Sequence, residues 1–382
     1  MEPELFKNTT IGEARKAKNA LYYTFEPNRL PHRAVLENKT IKALSDSDRA
    51  VSLLSGLGLR LKNPNLIILP YIKKEALSSS KIEGTKTTLS HVFMKEAEDS
   101  PDDEDVDEQE VINYANALMW GLSQVTSGQA ELTEEILFHM HHMLLRNVRG
   151  EDKDPGRYKS MPNFNGPSYD IMEADFVYTH PDSVPALMMN LVEYFNHNDD
   201  YPPLIQAAIC HYQFEVIHPY RDGNGRIGRL LIMLYLCQKG VLSQALMYPS
   251  VFFEQNRRDY YDSLLKISTE GEVNQWLRFF LQGIKTQAED AIIRLKKLED
   301  YRDEQRRRVL QQTRSHIALV AFENIFANPY ITGRKLEKLA NCSPAAANSA
   351  IEVLVKLSIL QLANDKKRYR IFEASRILEI LT

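Results

Sequence analysis

His218-Pro219-Tyr220-Arg221-Asp222-Gly223-Asn224-Gly225-Arg226-Ile227-Gly228-Arg229 joins two apolar runs, and the reading of that junction decides the fold. Residues 203–216 read as a helix, and helical periodicity resumes after the junction at Ile227, Leu230, Leu231 and Leu234. Gly223, Asn224 and Gly225 tolerate positive φ. Such a run curls its backbone N–H groups into an anion-binding nest. A helix starting directly after it puts the nest at a helix N-terminus, where free N–H groups and the dipole favour an anion. Arg226 and Arg229 are three apart, so both project from one face of the first turn. Their forks suit phosphate oxygens. Asp222 stands beside the nest and could hold Mg2+ by one oxygen, the usual way that ion is kept on phosphates. His218 precedes the turn, and an imidazole titrating near neutrality can take a proton from an attacking hydroxyl.

Gly223-x-Gly225-x-x-Gly228 also fits the dinucleotide pattern G-x-G-x-x-G. That pattern carries meaning only after a strand, within a βαβ unit. Here a helical run precedes it, and the region does not alternate strand and helix. The chain has no G-x-x-x-x-G-K-[ST], so it offers no P-loop.

Bulk properties narrow the field. The 382 residues suffice for two or three domains at roughly 100–200 residues each. A net charge of −4 gives no chain-wide field to draw in nucleic acid or acidic lipid. Cys210, Cys237 and Cys342 lie far apart, without metal-ligand or Cys-x-x-Cys spacing, which fits a reducing compartment. Residues 1–10 are polar and unlike a signal peptide. No apolar run approaches the ~18 residues of a membrane span. The expectation is a soluble cytoplasmic protein that contacts no membrane.

Working outward from the junction, most of the chain reads as helical. Helices fit residues 41–61 and 71–81, with Pro64 and Pro70 as breaks between them. The acidic block 96–110 starts as a solvated loop and ends as a helix passing through Val111, Ala115 and Leu118. Another helix fits 133–145. Residues 150–181 are rich in Pro and Gly and suggest a loop carrying a hairpin, with Phe176 to Thr179 as its best strand. Helices fit 183–196, 203–216, 226–240 and 255–268. Residues 273–310 favour an extended linking helix. Beyond Arg314, helices at 316–326, 333–340 and 344–357 and strand-like pieces at 360–362 and 369–372, joined by Asn364 to Lys367, suggest a winged helix.

With these residues in view, the sequence resembles the Fic family. Its signature H-x-F-x-[DE]-G-N-G-R-x-x-R is matched except that Tyr220 replaces the phenylalanine, a position that looks like an apolar anchor. Ser79-Ser80-Lys81-Ile82-Glu83-Gly84 is similar to the family's inhibitory helix, [ST]-x-x-x-E-[GN]. The resemblance implies a mainly α fold: a Fic helical core with a small β-hairpin flap, plus a C-terminal winged-helix domain. The divisions expected are 1–109 with the inhibitory helix, 110–285 as core, 286–313 as linking helix and 314–382 as winged helix.

The same resemblance implies transfer of AMP from ATP to a Ser, Thr or Tyr hydroxyl of a target protein. It implies His218 as general base and Asp222 as Mg2+ ligand. Gly223, Asn224 and Gly225 would cradle the α- and β-phosphates, while Arg226 holds the β- and Arg229 the γ-phosphate. Ile227, Gly228, Glu83 and Tyr261 complete the expected ATP contacts, with Tyr261 favoured over Tyr260 for the adenine pocket. The flap, within 158–178, would align the target chain by strand addition. Ser79, Glu83 and Gly84 would restrain the site, because a carboxylate pairing with Arg229 occupies the group meant for the γ-phosphate. A glutamate at a helix C-terminus opposes the dipole, so a cationic partner would account for it.

Self-modification and a homodimer are further expectations. Removal of AMP on the same fold is the alternative activity, since an intact Glu83 could position a water. His139, His141 and His142 read as ordinary helix histidines, not a metal cluster. An alternative role for the tail is DNA binding through Arg334, Lys335 and Lys338 or through Lys366, Lys367 and Arg368. Its helix 344–357 offers only Lys356, opposed by Glu352, so a protein-interaction or dimerisation role is preferred.

Overall fold

The computed structural model describes residues 1–6, 10–18, 20–61, 63–98, 105–126, 131–197, 200–364 and 370–382. Strands β1 (Gly12–Lys16) and β2 (Tyr23–Pro27) form an antiparallel hairpin that pairs Ala14 with Phe25. Helices α1 (Asn38–Gly58), α2 (Pro64–Ile82), α3 (Leu89–Glu98), α4 (Val106–Val125) and α5 (Glu134–Leu144) follow. Asp105 caps α4 by accepting from Asp107 N, and Thr133 caps α5 by accepting from Ile136 N. The flap is a short hairpin, β3 (Phe164–Asn165) with β4 (Phe176–Val177). Then come α6 (Val184–Asn196), α7 (Pro203–Ile217), α8 (Asn224–Gln238), α9 (Pro249–Gln255), α10 (Arg257–Glu270) and the long α11 (Val273–Gln312).

Helices α7 and α8 are deeply buried and pack on each other. From Leu204 to Phe214 every residue of α7 is buried, so the helix has no solvent face to be amphipathic about. In α8 the same holds from Arg226 to Leu236. Helices α4 and α2 pack on α8, while α6 packs on α7. Helix α1 lies along α11. The loop between α7 and α8 is thereby held between two rigid, fully buried elements.

The remaining elements are α12 (His316–Asn324), β5 (Tyr330–Thr332), α13 (Gly333–Ala340), α14 (Pro344–Lys356), β6 (Gln361–Leu362), β7 (Ile371–Glu373) and α15 (Ser375–Leu381). Their sheet has the order β5-β7-β6 and is antiparallel throughout. The unit leans on α3, where Asn328 Nδ2 donates to Phe93 O at 2.9 Å and Thr332 Oγ1 to Ala97 O at 3.3 Å. Helix α15 lies on α11, and Lys74 of α2 donates to Leu381 O at 2.9 Å.

The mainly helical fold expected from the sequence is the one observed, with differences in detail. Pro70 does not end a helix: α2 begins at Pro64 and runs through Pro70 to Ile82. A proline there removes one intrahelical bond. Burial of Ile67, Tyr71, Ile72, Ala76 and Leu77 outweighs that loss. Helix α8 starts two residues before Arg226, so Asn224 and Gly225 belong to its first turn. Strands β1, β2 and β5 and helices α3, α9 and α15 lie where the sequence reading places none, and α3 takes in Glu96 and Glu98, so the acidic block begins in a helix rather than a loop. For the first hairpin, the run Tyr22-Tyr23-Thr24-Phe25 was a usable signal, aromatic and β-branched. Part of the acidic block and the basic residues Lys366, Lys367 and Arg368 lie outside the described residues. Among the described residues, no helix is long and apolar enough to cross a membrane.

Candidate active site

His218 terminates α7 in the left-handed conformation, φ 50° and ψ 60°, with its N–H donating to Phe214 O at 2.9 Å. The ring stacks on Tyr178, the residue that follows β4, at 3.8 Å. Its Nδ1 lies 3.2 Å from the Glu215 carbonyl. A carbonyl only accepts, so this contact assigns the proton to Nδ1 and leaves the lone pair on Nε2. Burial, then the nearby Lys159 charge, bring the imidazole down to about 3, against a raising effect of the Glu215 carbonyl. The ring is neutral at physiological pH, the form a general base needs.

The loop that follows is fixed from inside. Tyr220 is fully buried and stacks on His141 at 3.8 Å with 9° between the planes. His141 accepts from Gly156 N at Nδ1 (2.8 Å) and reaches Asp222 O with Nε2 at 2.9 Å. With both nitrogens so used, and burial bringing its pKa down to about 4, His141 is a neutral brace, not a metal ligand. The Asn224 amide takes both backbone groups of Tyr220: N–H to Oδ1 and Nδ2 to O, each at 2.8 Å. Gly223 then turns at φ 76° as the N-cap of α8. Asp222 Oδ1 accepts from Gly223 N at 2.5 Å.

Both arginines of the first turn point inward. Arg226 Nη2 reaches Asp222 Oδ1 at 3.3 Å, and its buried Nε has no hydrogen-bond partner among the described residues. Arg229 is fully buried. Its Nε donates to Ser79 Oγ at 2.9 Å, and Nη2 donates to Ser79 O at 3.1 Å and to Glu83 Oε1 at 2.5 Å. Its Nη1 is buried and has no hydrogen-bond partner among the described residues. A Cβ added to Gly225 would collide with Glu83 Oε1. The Glu83 carboxylate thus sits directly on the first turn of α8, in the place where free N–H groups offer an anion its seat. Glu83 is the C-cap of α2, and Gly84 follows at φ 99°.

The structure therefore gathers His218, Asp222, Gly223, Gly225, Arg226, Arg229, Ser79, Glu83 and Gly84 around one cleft. It separates the tyrosine pair. Tyr260 is buried with its hydroxyl 2.8 Å from His211 Nε2, whereas Tyr261 is 41% exposed and feels Glu83 and Arg229. Three expected contacts are otherwise engaged. The Ile227 side chain is fully buried and its N–H donates to Gly223 O. The Asn224 amide closes the loop. Gly228 lies against Phe214 and Glu215, where a Cβ would clash.

Sequence reasoning did not single out Tyr178, Lys159, Glu215 or Glu75. Glu215 and Glu75 are buried carboxyls near Arg229, each pushed up to about 7 by burial. For Mg2+, Asp222 is a fitting donor: its side chain is 41% exposed and its Oδ1 is taken by Gly223 and Arg226, leaving Oδ2 for the ion.

Two family models match this chain: the Fic/DOC family over residues 131–236 and the Fic/DOC family N-terminal region over residues 41–123. Protein adenylyltransferase Fic of Drosophila virilis is 27% identical over 215 residues, spanning 54% of this chain and 41% of its own. That of Drosophila grimshawi is 26% identical over 285 residues, spanning 71% of this chain and 54% of its own. The chain thus spans about half or less of these curated relatives. A Fic family protein from Desulfovibrio desulfuricans G20 superposes with a TM-score of 0.57 at 18% identity, over 89% of this chain and 97% of that one. Fic-1 from C. elegans (residues 134–508) gives 0.50 at 20% identity, over 68% and 73%. These likenesses speak for the fold. The region that builds the site, residues 131–236, thus matches the Fic/DOC family, and the match to that family's N-terminal region over residues 41–123 takes in α2 and Glu83.

Proposed function

We propose that this chain is a protein adenylyltransferase that moves AMP from ATP onto a Ser, Thr or Tyr hydroxyl of a target protein, and onto itself, and that Glu83 restrains it. The observation that carries the reading is a neutral imidazole with a free Nε2, poised beside an anion seat that Glu83 now fills. His218 takes the hydroxyl proton as that oxygen attacks the α-phosphorus. The bond from the α-phosphorus to its bridging oxygen breaks, and pyrophosphate leaves. The N-terminus of α8 cradles the α- and β-phosphates. Arg226 holds the β-phosphate and Arg229 the γ-phosphate, their orphaned buried nitrogens being donors in search of oxygens. Asp222 would hold Mg2+, which neutralises phosphate charge. Tyr261, on the cleft side, would line the adenine site.

The Drosophila relatives carry the name of this activity. The test is incubation with labelled ATP and Mg2+, comparing the parent with Glu83→Gly and with Glu83→Gly/His218→Ala. AMP on protein in the first variant and none in the second is expected. Absence of AMP on any protein in the Glu83→Gly sample overturns the reading.

One observation favours removal of AMP as a companion activity. The Glu83 side chain is 35% exposed at the cleft and bonds Arg229 through Oε1. Its carboxylate could order a water for attack on a modified target. Release of AMP from a pre-modified target that is lost in Glu83→Gly supports this; release unaffected by the substitution excludes it. For residues 314–382 we propose a winged helix serving protein contact or dimerisation.

A further inference from the structure

Lys159 precedes the flap and is 3% exposed. Its backbone N–H donates to Pro219 O at 2.8 Å, and its ammonium donates to Ile217 O at 3.2 Å. Those are the two carbonyls on either side of His218. A left-handed backbone at a non-glycine residue is strained, and such residues persist only where the surroundings over-determine them. Here one lysine holds the carbonyl of the residue before His218 and that of the residue after it. The same ammonium lies 6.0 Å from the centre of the Tyr178 ring, which stacks on His218 and is itself held by Phe176 and by Asn165 Nδ2 on its hydroxyl. Lysine, Tyr178 and the imidazole therefore form one packed unit behind the base.

We infer that Lys159 is a positioning residue for the His218 base, fixing the imidazole through both flanking carbonyls and placing a positive charge behind it. The inference rests on the reading of His218 as the base. The groups that face this unit are few. Glu26 of β2 acts on the ammonium, the Glu215 carbonyl at the end of α7 meets Nδ1, and Glu215, Tyr261 and Glu83 act on Tyr178 from the cleft side. Burial brings Lys159 down to about 7, with Glu26 pulling the other way. While it is protonated it opposes a second positive charge on His218. The ring is thus kept ready to accept a proton, and the proton it takes from the hydroxyl is held loosely.

The test uses the full chain in the Glu83→Gly background, with Lys159→Met and Lys159→Gln compared to that parent. Two readouts are taken: kcat and KM for ATP, and the titration of the His218 ring by NMR, assigned with His218→Ala. A misplaced reacting group costs up to roughly a hundred-fold in rate. We expect kcat to fall about ten-fold or more while KM for ATP stays within about three-fold. We also expect His218 to titrate at higher pH in both variants than in the parent. An unchanged kcat, a change carried by KM, or an unmoved His218 titration overturns the inference. So does failure of both variants to fold, since a positioning role requires a folded chain without it. The titration needs no turnover: a parent that transfers no AMP would sink the adenylyltransferase reading while leaving the Lys159 effect on His218 decidable.

Discussion

Glu83 and Arg229 meet at 2.5 Å across the cleft, the arginine fully buried and the glutamate at the end of α2. The same arginine is also held by the backbone and hydroxyl of Ser79, one helical turn earlier. Both ends of the Ser79–Gly84 motif therefore grip one guanidinium. Glu83→Gly frees the Glu83 grip and clears the seat on Gly225. Losing a charge-assisted bond to a largely buried cation costs about 1–3 kcal/mol. The expected outcome is a lower Tm without nucleotide and a larger Tm rise on adding ATP and Mg2+ than in the parent, read by thermal shift. An equal ATP response in both proteins would show that Glu83 does not compete with the nucleotide.

Ser79→Ala removes only the hydroxyl that accepts from Arg229 Nε and leaves the carbonyl contact and Glu83 in place. One such bond is worth about 1 kcal/mol. AMP incorporation should rise by less than roughly ten-fold, well short of Glu83→Gly. Labelling of the two variants side by side gives the order; Ser79→Ala matching or exceeding Glu83→Gly contradicts it.

Asn224 is a clamp and not a phosphate ligand through its side chain. Its amide satisfies both backbone groups of the buried Tyr220. In the Glu83→Gly background, Asn224→Ala leaves the buried Tyr220 N–H without its partner, a loss of about 1–3 kcal/mol, while Tyr220 O keeps Asn163 Nδ2 at 3.0 Å. Tm should fall by several degrees and AMP transfer should drop sharply, because the nest loses its shape. Asn224→Ala with parental Tm and activity would mean that the loop holds itself.

Much of this site was legible in the sequence because its parts are contiguous. Residues 218–229 bring histidine, glycine turn, carboxylate and both arginines within one turn and the start of a helix, so local rules suffice. Ser79 and Glu83 were legible by motif, and the structure adds that they reach Arg229 from α2. What local rules missed is long-range. His141 braces the loop from α5, and Lys159 and Tyr178 brace His218 from either end of the flap, through stacking and carbonyl contacts that no spacing encodes. The first hairpin is similar: Phe25 makes sense only beside Phe6 and Phe176, with ring centres 5.8 Å away in each case. Pro70 misled for the complementary reason, as a local signal overridden by burial along α2.

Two buried groups give opposite pH dependences of stability. His211 is buried with Nδ1 3.0 Å from Gly228 O and Nε2 2.8 Å from Tyr260 Oη, and burial brings its pKa down to about 3. Its folded value lies below the unfolded one near 6.5, so its stability is present above about 6.5 and is lost as pH falls toward 3. Glu75 is buried under the Ser250 N–H and hydroxyl, and burial pushes it up to about 7. Its stability is present below about 4.5 and is lost as pH rises through 7. His211→Gln should therefore show a shallower fall in Tm between pH 6.5 and 4 than the parent. Glu75→Gln should gain on the parent between pH 5 and 8. Melting curves across that range decide both; parallel profiles for either variant and the parent would show that the group does not titrate on unfolding.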